Sequence, residues 1–262
     1  MLRNILQKYS RLELIIASTI LAIILTQLVM FIIYSFFSTD IRFSEIIISI
    51  IAPLVVASIF SWFFIDMIKK LNSMEIEMRY MATYDQLTKT LTRKEFFCKA
   101  DEYRKIIVRE KFNCTFLMID IDYFKEINDM HGHLAGDYVL SAFGEVLNKN
   151  KRDVDLVGRF GGEEFIVLLW GCDSGSAFNY AVNLQALLSN IKLTYNNIDI
   201  SFTVSIGISL TDVNNQFNVN ELIEQADKAL YQAKENGRNK TLIYNPAIQR
   251  KNDGLVQQQR GA

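Results

Sequence analysis

The chain has 262 residues, of which 50% are hydrophobic, and its formal net charge at pH 7 is -1. This length fits one large domain or two small ones, and the balanced charge excludes the general basic surface expected of a protein that binds a nucleic acid polymer. The three cysteines, Cys98, Cys114 and Cys172, have no metal-ligand spacing and imply no disulfide framework. The hydrophobic excess is concentrated near the N-terminus.

The first apolar run, LELIIASTILAIILTQLVMFIIYSFF, extends from Leu12 to Phe37 and carries one charge, Glu13, at its edge. A helix needs about 20 apolar residues to cross a bilayer core, so this run is long enough. A cleaved signal peptide is the alternative, but it would have a shorter apolar core followed by a small-residue cleavage site, which IIYSFFSTD does not resemble. The sequence therefore predicts a transmembrane helix over about 12–37.

A second apolar run, IIISIIAPLVVASIFSWFFI, predicts a transmembrane helix over about 46–65 within a membrane region of residues 1–66. Pro53 is tolerated in such a helix, and Trp62 fits an interfacial anchor. The loop between the runs holds one basic residue, whereas the outer flanks hold several, so the positive-inside rule predicts that both termini are cytoplasmic. The basic residues compared are Arg42 in the loop and Arg3, Lys8, Arg11, Lys69 and Lys70 in the flanks.

The segment after the second run, residues 67–84, repeats large apolar side chains at steps of 4, 3, 4 and 3 residues. That spacing is the a/d seam of a coiled coil, with charged residues on the other faces. Two interpretations remain open: an amphipathic helix that packs on the following domain, or a parallel two-stranded stalk that joins two copies of the chain. The seam residues are Met67, Leu71, Met74, Met78 and Met81.

From about residue 84 the pattern changes to that of a globular domain, which we predict over 85–246. Thr92 followed by Glu95 forms a capping box, which predicts a helix running to about Val108. A strand over 114–122 becomes acidic at its end, and Gly237 ends the last predicted helix as its C′ residue. The other predicted elements are helices over 136–150, 176–191 and 220–237 and strands over 155–160, 165–170, 199–210 and 241–245.

Helices connect some of these strands, and a tight turn connects others. That mixture indicates an α/β fold with a mixed or antiparallel sheet rather than a doubly wound parallel one. Residues 247–262 are polar and rich in Gln, and we predict a disordered tail.

Acidic residues meet at the end of two predicted strands. Asp120 and Asp122 lie two apart and so point to one face of their strand, and Glu163 and Glu164 lie on the turn of the predicted hairpin. Carboxylates so grouped raise one another's pKa unless a cation lies between them, and Mg²⁺ suits such oxygen ligands. The residues alone leave two possibilities open: a metal-assisted phosphoryl or nucleotidyl transferase, or a solvated acidic patch.

Three stretches decide between them: DIDYFKEINDMHGHLAGD, GRFGGEEF and YQAKENGRNK. In order and spacing they resemble the signatures of the GGDEF family, the bacterial diguanylate cyclases, over roughly Tyr84 to Tyr244. The resemblance implies a central, mainly antiparallel sheet with surrounding helices, related to polymerase palms and nucleotide cyclases. It also implies condensation of two GTP molecules to cyclic di-GMP and pyrophosphate, in a homodimer at a bacterial inner membrane.

The resemblance implies a metal and catalytic set. Asp120, the carbonyl of Ile121 and Glu163 are expected to hold Mg²⁺, with Mn²⁺ as a possible substitute. Glu163 is expected to accept the proton of the 3′-hydroxyl, and Glu164 to assist the metal. Lys125 is expected to stabilise the transition state.

The resemblance also implies the substrate contacts. Asn128 and Asp137 are expected to read the guanine edge, with His133 as a nearby nucleotide contact; without the motif, His133 would be read as a solvated loop residue. The expected phosphate contacts are Lys234 and Arg238, and the glycines expected to let the backbone approach the nucleotide are Gly161 and Gly162.

An RxxD pattern precedes the hairpin, with Arg152 and Asp155 at the spacing of the family's product-inhibition site. Alone, this pattern is usually a surface ion pair. The resemblance instead implies that Arg152 clamps the phosphate of cyclic di-GMP or stacks on guanine, and that Asp155 accepts from a guanine edge.

The segment DQLTKTLTR departs from the family pattern, because Lys89, Thr90 and Thr92 stand where Gly, Leu and Asn are usual. We expect the departure to affect coupling to the preceding helix more than the chemistry. The leading hypothesis is a membrane-anchored diguanylate cyclase. The alternatives are a catalytically inactive receptor for GTP or cyclic di-GMP, and a membrane scaffold that uses the domain to dimerise.

Overall fold

The computed structural model describes residues 9–37, 42–211 and 217–246. The chain divides into two compact units between Arg79 and Tyr80. The tail predicted to be disordered, 247–262, lies outside the described residues.

The N-terminal unit contains helix α1 (Arg11–Phe37) and most of helix α2 (Phe43–Thr83), whose last residues, 80–83, belong to the C-terminal unit. Both are long and apolar enough to cross a membrane, by length and composition. Pro53 lies inside α2 without ending it, so the predicted second span and the predicted stalk form one continuous helix. The five seam residues of the stalk are each at least 49% exposed.

Polar side chains connect α1 to α2 along their length. Such bonds satisfy polar groups that an apolar environment would leave unpaired, so they fix the two helices against each other. The pairs are Ser18–Ser61 (2.8 Å), Thr19–Ser58 (3.2 Å), Gln27–Ser49 (2.8 Å) and Tyr34–Glu45.

The C-terminal unit has a six-stranded sheet in the order β1-β3-β4-β2-β7-β8. The outer pairs β1/β3 and β7/β8 are parallel, and the three inner pairs are antiparallel. The predicted mainly antiparallel α/β fold is therefore confirmed. The elements are β1 (Leu91–Thr92), α3 (Arg93–Glu110), β2 (Cys114–Ile121), α4 (Phe124–His131), α5 (His133–Lys149), β3 (Leu156–Arg159), β4 (Glu164–Trp170), α6 (Ser174–Ser189), β5 (Leu193–Tyr195), β6 (Ile198–Ile200), β7 (Val204–Leu210), α7 (Val219–Glu235) and β8 (Thr241–Ile243).

Helices cover both faces of this sheet. Buried side chains of α4, α5 and α6 pack on one face, and those of α3 and α7 pack on the other. All eight residues of β2 are buried, because this central strand is covered on both sides. The acidic end of β2 therefore follows a strand that is buried along its whole length and paired on both sides.

The ends of two helices follow the predicted chemistry. The Thr92 side chain accepts a hydrogen bond from the Glu95 amide at 3.3 Å and caps α3. At the end of α7, Gly237 has φ +100°, and the amides of Gly237 and Arg238 donate to the carbonyls of Lys234 and Ala233. This Schellman motif fixes the direction in which Arg238 leaves the helix.

Two predicted elements differ from the structure. The strand predicted over 199–210 is divided: residues 198–200 pair with β5 in a separate hairpin, and β7 begins only at Val204. Helix α4 was not predicted, and α5 begins at His133 rather than at 136. The alternating pattern continues across 201–203, which belong to no strand, although the Asp122 amide donates to the Thr203 carbonyl at 2.9 Å and so extends the bonding between β2 and β7 by one residue.

The unusual residues of the domain-opening segment are accommodated locally. Lys89 adopts the left-handed conformation with φ +56°, which glycine would enter without strain. The Thr90 hydroxyl is buried and shares a hydrogen bond with Thr88 at 2.9 Å. Thr92 provides the helix cap that asparagine would otherwise provide.

Candidate active site

The end of β2 and the hairpin between β3 and β4 lie side by side. Asp120 and Glu164 are directly opposed in the antiparallel register, and the Ile121 amide donates to the Glu163 carbonyl at 3.4 Å. The strand end and the acidic turn are therefore neighbours, as the sequence predicted. Two glutamates and a buried aspartate meet at one edge of the sheet.

The two glycines of the turn have different surroundings. A Cβ at Gly161 would overlap the Glu164 carboxylate, so glycine is needed there for Glu164 to fold over the turn. A Cβ at Gly162 would meet no atom within 4 Å, so that side of the turn is open to a ligand. Glu163 and Glu164 are both half-buried.

Arg159 holds the turn in place. Its Nε donates to the carbonyls of Gly161 and Gly162 at 3.2 Å each, and its Nη1 lies 3.1 Å from a carboxylate oxygen of Asp85. Burial acts to raise the pKa of Asp85, but hydrogen bonds from Thr88 and the charge of Arg159 outweigh it and hold that pKa below its ordinary value. One guanidinium thus connects the acidic turn to the domain-opening segment.

Asp120 is 4% exposed and accepts a charged hydrogen bond from Lys234 Nζ at 2.8 Å. Burial raises its pKa to about 6; Lys234 acts against this rise, and the charges of Glu163 and Glu164 add to it. The site therefore has more negative charge than Lys234 neutralises.

Asp122 has a different role from Asp120. Its carboxylate accepts from the hydroxyls of Thr203 and Ser205, at 2.7 Å each, and from the Asn239 amide at 2.9 Å. These bonds satisfy its charge without a cation. Asp122 therefore ties the end of β2 to β7 and to the segment after α7, and the cation expected between the two aspartates is not needed to explain it.

The turn after β2 opens a helix N-terminus beside the carboxylates. Tyr123 adopts the left-handed conformation with φ +56°, and α4 begins at the next residue. First-turn amides have no partner inside a helix, and a left-handed residue followed by helical ones is the nest arrangement that binds anions. Arg238 lies 4.5 Å from the Tyr123 ring centroid, and Lys125 extends from the first turn into solvent.

The residues predicted to read guanine lie along α4 and the start of α5. Asn128 is half-buried on α4, whereas Asp137 and His133 are exposed on α5. The turn between the helices has Gly132 at φ +83°, and its amide donates to the Asn128 carbonyl at 2.8 Å. A Cβ at Gly136 would overlap Oδ1 of Asn128, so Gly136 makes the space that this amide side chain fills.

The two RxxD residues differ in their exposure to solvent. Arg152 is exposed, but Asp155 is only 3% exposed, and its two oxygens accept from the amides of Arg152 and Trp170 at 3.0 Å each. The structure shows no ion pair between them. Asp155 shapes the turn that presents Arg152.

The donor set at the end of β2 fits a hard divalent cation. Asp120 and Glu163 supply carboxylate oxygens and Ile121 a carbonyl, the ligand types that Mg²⁺ prefers. No group of three His, Cys, Asp or Glu side chains that could hold a metal occurs among the described residues. The predicted set does not need one, because it uses two carboxylates and a carbonyl, leaving positions for substrate phosphates. The raised pKa of Asp120 is the feature that a bound cation would relieve.

Three supporting residues were missed by the sequence reasoning. Arg159 and Gly136 were quoted within motifs but given no role, and Asp122 was read as part of the acidic face. Two signals in the sequence could have indicated them. Arg159 directly precedes the predicted turn, and Gly136 directly precedes Asp137, which was predicted to read guanine.

Residues 82–240 match the family model described as "Diguanylate cyclase, GGDEF domain". Diguanylate cyclase A of Treponema denticola is 35% identical over 175 residues, which cover 66% of this chain and 46% of that protein. The chain thus spans less than half the length of this curated relative.

Solved structures share the fold. The GGDEF domain of DgcB from Caulobacter crescentus, in complex with c-di-GMP, is 28% identical with a TM-score of 0.60 and covers 63% of this chain and 94% of that one. The active GGEEF domain of a diguanylate cyclase from Vibrio cholerae is 29% identical with a TM-score of 0.55 and covers 59% of this chain and 97% of that one.

Proposed function

The chain belongs to the GGDEF family, and on that premise we propose that it is a diguanylate cyclase, which condenses two GTP molecules to cyclic di-GMP and pyrophosphate. The observation that carries the proposal is the apposition of Asp120 and the Glu163–Glu164 turn at one sheet edge, with Lys234 against them. Excess carboxylate charge beside an open glycine turn and a helix N-terminus suits a nucleoside triphosphate with its metal.

We assign the metal site to Asp120, the Ile121 carbonyl and Glu163. Bound there, Mg²⁺ supplies positive charge to the triphosphate and lowers the pKa of the attacking hydroxyl; Mn²⁺ has the same ligand preferences. Glu163 accepts the proton of the 3′-hydroxyl, and the carboxylate of Glu164 would assist in holding the metal.

The triphosphate lies against the amides that open α4, with Lys125, Lys234 and Arg238 neutralising its charge. Lys125 stabilises the charge that develops on the transferring phosphoryl group. Lys234 forms an ion pair with Asp120 in the structure, and it would be free to contact the triphosphate if Asp120 held the metal. Gly162 leaves room for the nucleotide at the turn.

Guanine is read from α4 and α5. Asn128 and Asp137 present an amide and a carboxylate, which match the acceptor and donor edge of guanine, and His133 contacts the same nucleotide. Since each domain binds one GTP, the reaction requires two domains that face each other. The exposed seam of the stalk supports a homodimer, in which two α2 helices pair in parallel.

Arg152 and Asp155 form the site of product inhibition in this account. Arg152 is exposed and contacts cyclic di-GMP directly. Asp155 keeps the turn in shape through its two backbone hydrogen bonds, so its contribution is to position Arg152.

The two apolar helices anchor the chain in a bacterial inner membrane as a multi-pass protein. The basic residues that flank the helices, compared with Arg42 alone between them, orient both termini and the cyclase domain to the cytoplasm. The polar pairs between α1 and α2 are the expected means of holding a helical hairpin in lipid.

Incubation of the purified chain with GTP and Mg²⁺, followed by chromatography of the nucleotides, tests the proposal. Formation of cyclic di-GMP and pyrophosphate supports it. Tight binding of GTP or cyclic di-GMP with no turnover would assign the chain as a receptor, and absence of both binding and turnover would assign it as a scaffold.

A further inference from the structure

A second polar cavity lies in the C-terminal unit, at the edge of the sheet where β3 begins. Its volume is about 220 Å³, and it is bounded by the domain-opening segment, α3, the end of α5 and the turn before β3. The first two residues of β3, Leu156 and Val157, line the cavity and pair with β4 on one side. Strand β1 pairs only with Gly158 and Arg159, so the other side of Leu156 and Val157 has no strand among the described residues.

Three lysines from three separate segments converge on this cavity. Lys89 comes from the domain-opening segment, Lys99 from α3 and Lys151 from the turn between α5 and β3. Lys99 pairs loosely with Glu95 at 3.7 Å, and Lys151 donates to the Arg152 carbonyl at 3.4 Å. No ion pair involves Lys89 or Lys151 in the described part of the chain, so two ammonium groups remain for a ligand.

The lining has a net positive charge, because its three lysines exceed its two carboxylates, Asp153 and Asp155, by one. Both oxygens of Asp155 are taken by backbone amides, and Asp153 is exposed to solvent. The walls are completed by neutral polar and aromatic side chains, Tyr84, Tyr103 and Asn148. Tyr103 is fixed by an edge-on contact with Trp170, at 4.8 Å between ring centroids.

The backbone at Lys89 adds an independent observation. Lys89 adopts φ +56°, a conformation that glycine would enter without strain and that occurs at ligand sites as well as in turns. The alternative is that lysines guard an open strand edge against pairing with another chain. That explains charge near β3, but it does not explain a strained position or the convergence of three segments with aromatic walls.

We propose that this cavity binds a small phosphate anion, inorganic phosphate or pyrophosphate, at a site separate from the proposed active site. Pockets for drug-sized ligands have volumes of about 300 Å³ or more, so a cavity of 220 Å³ is suited to one or two phosphate groups and not to a nucleotide. The anion would join the domain-opening segment to the turn that carries Arg152. The proposal rests on the cavity alone and not on the cyclase activity.

The test uses the full chain in detergent with EDTA present, so that metal-dependent binding at the carboxylate site is absent. Calorimetric titration with pyrophosphate measures the affinity, and acylation of lysines read by mass spectrometry locates the ligand. We expect pyrophosphate to protect Lys89, Lys99 and Lys151 from acylation. The affinity is expected to fall as ionic strength rises.

Lys89→Gly with Lys151→Ala is the decisive variant, because glycine relieves the strained backbone and keeps the fold. We expect about a tenfold loss of pyrophosphate affinity, with no loss for Lys94→Ala, an exposed lysine of α3 outside the cavity. Equal affinity of the double variant and the parent, or protection of Lys234 instead of the three lysines, would overturn the proposal.

Discussion

Lys234 Nζ lies 2.8 Å from Oδ2 of Asp120, the carboxylate that the proposed metal site requires. The lysine provides positive charge where a divalent cation would, but it is not sufficient, because the pKa of Asp120 remains raised to about 6. The contact implies that the site is strained electrostatically without ligands.

Asp120→Asn is expected to stabilise the metal-free domain at neutral pH. Because the pKa of Asp120 rises from its ordinary value of 3.8 to about 6, the folded state binds the proton more tightly than the unfolded state. Ionisation of Asp120 therefore lowers the free energy of unfolding as pH rises from 3.8 to about 6, and the whole loss is present above that range. After allowing for the lost Lys234 contact, we expect the variant's free energy of unfolding to exceed the parent's by roughly 1 kcal/mol at pH 7.5, as measured by denaturant unfolding.

The same experiment has an internal control. Below about pH 4 the parent carboxyl is neutral, so the difference between parent and variant is expected to vanish. Added Mg²⁺ should stabilise the parent and not the variant. A variant that is less stable than the parent at neutral pH without metal would contradict this account of Asp120.

Lys234→Ala tests two expected functions of this lysine, the ion pair with Asp120 and the contact with a substrate phosphate. Without nucleotide, the variant is expected to bind Mn²⁺ more tightly than the parent, because no ammonium competes for Asp120. The KM for GTP is expected to rise about tenfold, because a phosphate contact is lost. Electron paramagnetic resonance of free Mn²⁺ and steady-state kinetics measure the two effects; weaker binding of Mn²⁺ would show that Lys234 does not compete with the metal.

Arg159→Lys is expected to lower kcat about tenfold or more, because an ammonium cannot hold two carbonyls and Asp85 together, and the turn that carries Glu163 shifts. Asp85→Asn keeps an acceptor for Arg159, so its kcat should fall less than that of Arg159→Lys. Kinetics at saturating GTP, with circular dichroism to confirm the fold, distinguish the two. If Arg159→Lys is as active as the parent, Arg159 does not hold the acidic turn in its active geometry.

Gly136→Ala is expected to raise the KM for GTP about tenfold with a smaller change in kcat, because the added Cβ displaces the Asn128 amide that reads guanine. Gly175→Ala is the matched control, since a Cβ there meets its nearest atom at 3.9 Å. An unchanged KM for Gly136→Ala would show that Asn128 does not contact the base.

Arg152→Ala and Asp155→Ala are expected to differ, although both belong to RxxD. Arg152 is exposed, so its loss should abolish product inhibition and leave turnover and stability unchanged. Loss of Asp155 leaves two amides unpaired and should destabilise the domain by about 2 kcal/mol. Progress curves with added cyclic di-GMP and thermal unfolding measure these; inhibition that persists in Arg152→Ala would refute the assigned site.

The features that carry strong local sequence patterns were predicted correctly. The capping box at Thr92, the acidic end of β2, the hairpin at Gly161 and the glycine end of α7 are local signals, and each lies where it was predicted. The apposition of Asp120 with Glu164 followed from pairing neighbouring strands. These features depend on periodicity and turn chemistry, which a single sequence carries.

Features that depend on contacts distant in the chain could not be read. The Thr203 hydroxyl donates to the carboxylate of Asp122, 81 positions earlier in the chain, and no local pattern in residues 201–203 indicates this contact. Asp155 reads as a surface residue until Trp170, fifteen positions later, is brought beside it. No local pattern reveals that Lys234 reaches Asp120.

The most direct test compares GTP turnover by purified residues 66–262 and by the same fragment with Glu163→Gln, at saturating Mg²⁺. The parent fragment should form cyclic di-GMP and pyrophosphate, and the variant should be slower by about a hundredfold or more while still binding GTP. Equal rates for the two would contradict the role of Glu163. A parent fragment that binds GTP without forming product would contradict the cyclase itself.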